Sequence, residues 1–320
     1  MGSLSEKLSS RDVLADLALA LEQAAAPAWV SAVSGAQPIR SMKEEEIFRW
    51  LGQVPQMRQW VGGRLAKGLS DQEYTLRKVL YESTLEVQLD ELRRDRYGMV
   101  QMRINELASR AAAHWASLLS TLIINGETAV CYDGQYFFDT DHSEGSSGTQ
   151  SNDLSVDISA LPVANHGSTT APSVGEMRET IMQSVQAILG FKDDQGEPMN
   201  ENARSFLVKV PPALWAVAKA AVGLPMVDSG ESNVIPTLDG FRIAVEMNPR
   251  LTWTTKIATF RADAQVPALI RLEDDDGLNI SAIAEGSELE FNERKHHYGI
   301  DGYRTAGYGY WQFACLATMI

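Results

Sequence analysis

The sequence predicts an α+β fold organised in two lobes. Three observations carry this expectation. The apolar period changes at Gly98, from two residues before it to three or four after it. The helical run that begins there continues to Asn125, well beyond the ~11–12 residues of an ordinary globular helix. The last part of the chain is rich in β-forming runs separated by turns. A chain of 320 residues is long for one domain and comfortable for two lobes that share a core.

Residues 1–70 read as an N-terminal arm. Lys7 and Arg11 before "VLADLALALEQAAAPA" give the outline of a secretory leader. Asp16 interrupts the apolar run and Glu22 follows it, so the expectation is an amphipathic helix with Val13, Leu14, Leu17 and Leu21 on one face. "EEEIFRWLG" reads as a short helix, and Pro55 opens another at "PQMRQWVGG". Such short helices cannot bury Trp50 and Trp60 by themselves, so they need a partner surface on this chain or on another subunit.

In residues 72–92, Ser83, Leu85, Val87 and Leu89 alternate with Thr84, Glu86, Gln88 and Asp90, which is the period of a half-buried strand. Tyr74, Leu76 and Leu80 alternate before it, so a long antiparallel hairpin with its tip near Val79 to Ser83 is expected. From Gly98, the residues Val100, Ile104, Leu107, Ala111, Trp115, Leu118 and Leu122 form one helical face that ends at Asn125-Gly126. The Ser/Gly/Thr/Asn-rich stretch 143–173 reads as a surface excursion or a connection between lobes. Ser173-x-x-Glu176 is a capping box for a helix whose inner face carries Met177, Ile181, Val185, Ile188 and Leu189. "RSFLVKV" is a strand, Pro211-Pro212 ends it, and a helix with Leu214, Val217, Ala218 and Ala221 follows. "FRIAVEMN", "ALIRLE", "SELEFNERKHHYGI" and "GYGYWQFACLATMI" are β segments, the last ones expected to return to the long helix.

Composition narrows the function. Hydrophobic residues are 44% and charged residues 22%, the proportions of an ordinary globular protein. No apolar run approaches the ~18 residues of a membrane-spanning helix. Two cysteines, Cys131 and Cys315, without a CxxC, exclude a disulfide framework and favour a reducing compartment. With 28 basic and 42 acidic residues the net charge is −14, the wrong sign for a protein that grips nucleic acid through its phosphates.

The chemistry-bearing residues concentrate in "CYDGQYFFDTDHSEG", where Cys131, Asp133, Asp139, Asp141 and His142 are metal-ligand types. The calcium-loop pattern fails, because Glu144 stands where glycine is required and no Glu closes the loop. His142 has no His or Cys at zinc-ligand spacing. A structural turn built on Asx contacts is the favoured reading, and a metal-dependent hydrolase centred on Asp139, Asp141 and His142 is the alternative. "LEDDDG" reads as a solvated turn, and His296 and His297 point to opposite faces of a strand. His114 reads as an interface histidine, and no GxSxG, Walker loop, HExxH or GxGxxG occurs.

"WLGQVPQMRQWVGGR", "YTLRKVLYESTLEV", "CYDGQYFFDTDH" and "AGYGYWQFA", in that order and spacing, resemble the major head subunit of Mu-like bacteriophages, the gpT family. The resemblance runs from about Trp50 to Ala314; the first ~45 residues and the stretch after His142 carry no part of it. It implies the tailed-phage major capsid fold of the Hong Kong 97 type. The parts would be an arm at 1–70, an extended E-loop hairpin at 71–97, a peripheral domain with a spine helix at 98–139, an axial domain at 140–265, and strands returning to the peripheral domain at 266–320. It further implies a non-enzymatic, self-assembling icosahedral shell of hexamers and pentamers around double-stranded DNA. Such a shell needs no cofactor and no membrane; scaffold and portal proteins would be partners during assembly in the bacterial host cytoplasm. The residues expected at intersubunit contacts are Trp50, Trp60, Tyr74, Leu76, Leu85, Val87 and Leu89. An encapsulin-like compartment is the second shell reading.

Overall fold

The computed structural model describes residues 10–48, 73–94, 98–226, 230 and 232–320. The chain opens with α1 (Ser10–Gln23), α2 (Ala28–Ser34), β1 (Ile39–Ser41), β2 (Glu45–Phe48), β3 (Tyr74–Arg77), β4 (Val79–Gln88), α3 (Leu89–Arg94) and α4 (Met99–Asn125). It continues through β5 (His142–Ser143), β6 (Thr149–Gln150), β7 (Asp153–Val156), α5 (Val174–Gly190), β8 (Ser205–Val210) and α6 (Trp215–Gly223). The remaining elements are β9 (Arg242–Met247), β10 (Lys256–Arg261), β11 (Leu269–Asp274), β12 (Asn279–Ile283), α7 (Glu288–Glu293), β13 (Lys295–Tyr308) and β14 (Ala314–Met319).

α4 forms because its apolar residues recur on one face: Val100, Ile104, Leu107, Ala108, Trp115, Leu119 and Ile123 are all buried. Its 27 residues span about 40 Å at the usual helical rise. Its stop is steric as well as chemical. A Cβ at Gly126 would lie 2.4 Å from Phe138 Cδ2, so only glycine lets the chain turn back onto the helix end. α5 starts at the expected capping box: Ser173 Oγ accepts from Glu176 N, and the Glu176 carboxylate accepts from Ser173 N.

Two five-stranded sheets carry the fold. The first runs β1-β11-β13-β12, with β4 also paired to β13. Residues 297–301 of β13 are flanked by β12 on one side and β4 on the other, while its C-terminal end pairs with β11. The second runs β7-β14-β10-β8-β9, with α5 packed on β14 and β10 and α6 on β9. Residues 309–313 join β13 of the first sheet directly to β14 of the second. Gly309 permits that join, since a Cβ there would lie 2.2 Å from the Pro267 carbonyl oxygen. α4 runs beside both regions. Its N-terminal half packs with Val13 and Leu17 of α1 and Val87, Tyr298 and Ile300. Its C-terminal half enters the main core with Trp29, Phe137, Phe138, Tyr308 and Trp311.

Several expectations are corrected by this pairing. Residues 72–92 do not fold into a hairpin on themselves. β3 pairs antiparallel with β2, and β4 pairs over ten positions with β13, so each strand finds a longer-range partner. "EEEIF" is strand β2 rather than a helix, because its backbone pairs with β3 and Arg77 sits beside Glu44 and Glu45. "SELEFNERKHHYGI" splits into α7 and β13 at Arg294, which takes a left-handed conformation (φ 56°). β10 and β12, unforeseen, complete the two sheets, and β14 joins the second sheet rather than returning to the long helix with β13.

The N-terminal segment is not a peripheral arm over its described part. Val13 and Leu17 are fully buried against α4, and Trp29, Val30 and Val33 belong to the main core. Trp29 also covers the Lys209 amine, 4.2 Å from its ring centroid, on β8 of the second sheet. Trp50 and Trp60 lie outside the described residues. No single helix among the described residues is long and apolar enough to cross a membrane. Replacing Trp29 with Ala should therefore cost about 3–5 kcal/mol, the range for emptying a large aromatic site in a core. Urea unfolding of the subunit measures this; a cost under about 1 kcal/mol, the size of an ordinary surface change, would show that α2 rides on the outside.

Candidate functional site

The segment Cys131–Asn152 folds back under the β13–β14 join. A turn places Gly134 at φ 87° and returns Gln135 O to Cys131 N at 2.8 Å. Asp133 lies at its centre. Its Oδ1 accepts from Gln135 N at 3.1 Å and from the Cys131 thiol at 2.9 Å, and its Oδ2 is 2.7 Å from His142 Nδ1. On the other side of the ring, Nε2 is 3.2 Å from Asn152 Oδ1. Asn152 Nδ2 donates to Phe137 O and Trp311 O, which fixes its Oδ1 as the acceptor facing His142. The imidazole stacks on Trp311, with centroids 4.0 Å apart and planes 8° from parallel.

A second set of bonds closes the same join. Glu144 Oε1 accepts from Tyr132 OH at 2.6 Å, Trp311 Nε1 at 3.1 Å and Gln312 Nε2 at 3.4 Å. Electrostatics differ between the two acids. Burial raises the Glu144 carboxyl, and its hydrogen bonds do not cancel that effect. Burial pushes Asp133 the same way, but the His142, Cys131 and Gln135 contacts outweigh it and hold Asp133 below the ordinary carboxylate range. Burial also keeps the Cys131 thiol protonated, far above its usual range.

The hydrolase alternative does not assemble. Asp139 spends its oxygens on the backbone N–H groups of Tyr136 and Thr140, which brace the local loop. Its carboxylate, through a side-chain hydrogen bond, holds the exposed Asp141 carboxyl above its ordinary range. His142 is directed away from both, toward Asp133. Among the described residues, the metal-ligating groups that lie within 4.8 Å of one another are Cys131, Asp133 and His142. That set is of a kind that binds zinc, but each donor already has a protein partner, and Cys131 is held as the thiol. Asn152 was the partner missed in sequence; Asp133 stood among the metal-ligand types there, but nothing in the spacing singled it out over Asp139 and Asp141 as the partner of His142.

Other sequence-predicted residues fall as follows. His114 is half-buried and meets Tyr81 edge-on at 4.4 Å. His296 is buried, while His297 turns out toward Glu86. "LEDDDG" is a turn closed by Gly277 N to Asp274 O at 3.0 Å. Leu76, Val87 and Leu89, expected at subunit contacts, are covered by this chain itself, and Tyr74 and Leu85 are half-buried. The reason is that β13, α1 and α4 close the face that a free hairpin would have left open. The apolar side chains that do stand out here are Val79, Leu80 (51% exposed) and Tyr303 (44% exposed), with Leu80 and Tyr303 directly paired across β4 and β13.

Comparison with known proteins places this architecture. Residues 16–163 match the sequence family described as the Mu-like prophage major head subunit gpT. The Mu-like prophage FluMu major head subunit of Haemophilus influenzae is 30% identical over 118 residues, covering 37% of this chain and 38% of that protein. The major capsid protein of Escherichia phage Mu is 30% identical over 107 residues, covering 33% and 35%. The aligned segments thus span little more than a third of these relatives' own length. Among solved structures, the procapsid of bacteriophage JBD30 is similar with a TM-score of 0.54 at 20% identity, covering 98% of this chain and 77% of that one. The capsid of cyanophage P-SCSP1u gives 0.53 at 12% identity, covering 100% and 92%.

The chain resembles the Mu-like major head subunits and has the tailed-phage capsid fold. The gpT match begins earlier than the motifs suggested, inside α1, and ends in the Ser/Gly stretch, so "AGYGYWQFA" lies beyond it. α4 is the long helix that the sequence predicts from Gly98 to Asn125.

Asp133→Asn should cost ~1–3 kcal/mol at neutral pH, the range for orphaning buried hydrogen-bonding groups. Because the folded state holds Asp133 low, that difference should be present above about pH 4 and fade as pH falls through the folded value. Urea titrations from acid to neutral pH measure it, and a gap that does not change with pH would refute the Asp133–His142 pairing. Metal analysis of the purified protein should find no stoichiometric zinc, and chelation should leave unfolding unchanged.

Proposed function

We propose that this chain is a major capsid protein that self-assembles into the icosahedral head shell enclosing the double-stranded DNA of a Mu-like tailed phage or prophage. The observation that carries the reading is the gpT family match on a chain whose length follows a phage procapsid subunit almost throughout. In this reading the chain has no catalytic role. Hexamers and pentamers build the shell, scaffold and portal proteins act during assembly in the host cytoplasm, and the DNA is held by loose proximity. The −14 net charge suits that last point, since an acidic wall does not bind phosphate and leaves the genome free to exit. The encapsulin-like reading is less favoured because the family match is to head subunits.

The domain assignments change with the strand pairing. The antiparallel β2–β3 pair, with residues 49–72 between its strands, is the better candidate for the E-loop than residues 71–97. α4 remains the spine, and the second sheet with α5 and α6 is the axial domain. Trp50 and Trp60, which lie outside the described residues, stay proposed as intersubunit contacts. Leu80 and Tyr303 replace Val87 and its neighbours as the contacts proposed for the rest of the subunit.

Expression with electron microscopy tests the whole reading: closed shells are expected, and protein that stays monomeric with its scaffold partner present would overturn it. Shells that package an enzyme rather than DNA would favour the compartment. Within the subunit, Leu80→Asp with Tyr303→Asp should leave circular dichroism intact while abolishing closed shells. Val87→Asp, which places a charge where the side chain is 0% exposed, should unfold the subunit instead. Sedimentation and circular dichroism separate these outcomes, and shells from the Leu80/Tyr303 variant would remove that strand pair from the interface.

A further inference from the structure

A cavity of about 380 Å³ lies between the α1–α2 turn, residues 36–38, α4 and the first sheet. Two guanidiniums line it, Arg271 from β11 and Arg304 from β13, and no acidic side chain is among its described lining residues. That is an unusual sign of charge in a chain whose net charge is −14. Both guanidiniums lie against Trp115 of α4, at 4.8 Å for Arg304 and 5.5 Å for Arg271.

The two arginines are not equally satisfied. Arg304 donates to Glu273 through Nε at 2.8 Å and Nη2 at 2.7 Å, and through Nη1 to Ala111 O at 2.9 Å. Arg40 approaches the second oxygen of Glu273 at 3.9 Å. Arg271 is only 5% exposed, yet its one hydrogen bond among the described residues runs from Nη2 to Gly35 O at 2.6 Å. Its Nε is buried without an acceptor. One carboxylate, Glu273, therefore faces three guanidiniums, and the hydrogen bonds to it go to Arg304. Burial penalises the Arg271 charge, and the Glu273 field only partly offsets that. A buried guanidinium without a carboxylate hydrogen-bonded to it favours an anionic partner, and the planar fork suits a carboxylate or phosphate.

We propose that this cavity is an oxyanion-binding site in which the Arg271 guanidinium, beside Arg304, receives one carboxylate or phosphate group. The inference stands on the cavity and its charges and does not depend on the shell reading. The lining joins residues of α1, α2 and the segment between them to Arg271 of β11, so binding there would fix the N-terminal helices against β11. Two sources have the same chemistry: a free anion, or an acidic side chain from a neighbouring copy of this acidic chain.

The test titrates the full-length subunit with inorganic phosphate against chloride at matched ionic strength, read by calorimetry and by thermal unfolding. A saturable phosphate-specific heat and a rise in Tm are expected. Arg271→Gln should weaken binding by at least about tenfold, the equivalent of one lost charge-assisted hydrogen bond. Arg271→Lys keeps the charge and loses the fork; it serves if the Gln variant fails to fold, and it should bind several-fold more weakly than wild type. Arg110→Gln, exposed on α4 and paired with Glu106 rather than lining this cavity, should bind as wild type does. Assembled particles distinguish the sources: continued phosphate uptake indicates a free anion, and uptake lost on assembly indicates a neighbour's carboxylate. Phosphate that acts no better than chloride on wild type, or equally on both Arg271 variants, overturns the proposal.

Discussion

The join between β13 and β14 is the constraint on which the rest of the structure depends. β13 is the centre of the first sheet and β14 is inside the second, with only residues 309–313 between them. Trp311 sits there fully buried, and its ring, indole N–H and carbonyl are each engaged, by His142, Glu144 and Asn152. All three partners come from the segment that follows α4. The chemistry-rich stretch therefore acts as a clamp. It ties the end of α4, the first sheet and the second sheet to one aromatic side chain, with nearly every polar group paired inside the protein.

The long helix reinforces that clamp. α4 runs about 40 Å and contributes its two halves to two apolar clusters, so neither lobe is closed without it. The N-terminal helices add a second tie. α1 seals the N-terminal half of α4, and Trp29 of α2 reaches the buried Lys209 on the second sheet, where desolvation pulls the amine down to about 8. Both ties are made through buried side chains rather than surface contacts.

Local features were legible in the sequence; long-range pairings were not. The α4 face, the Ser173–Glu176 capping box and the strand at Ser205–Val210 are written in residues a few positions apart, and they formed as read. The alternation in Val79–Gln88 correctly marked a strand, but alternation does not name a partner. The partner proved to be β13, more than two hundred residues away in the chain, so the face taken for an intersubunit surface is internal. β2 was missed for the same reason: "EEEIF" has no period of its own and becomes a strand only because β3 is opposite it. The candidate site was half legible. Its residue types were visible, yet His142 chose Asp133 and Asn152 over Asp139 and Asp141, a choice set by where Trp311 lies.

Native-state hydrogen exchange on the subunit tests the central claim most directly. If the Trp311 clamp couples the sheets, amides of β13 and β14 should exchange with the same opening free energy in wild type, and Asn152→Ala should split them into two classes. Equal protection of both strands in the variant, or separate opening already in wild type, would contradict it.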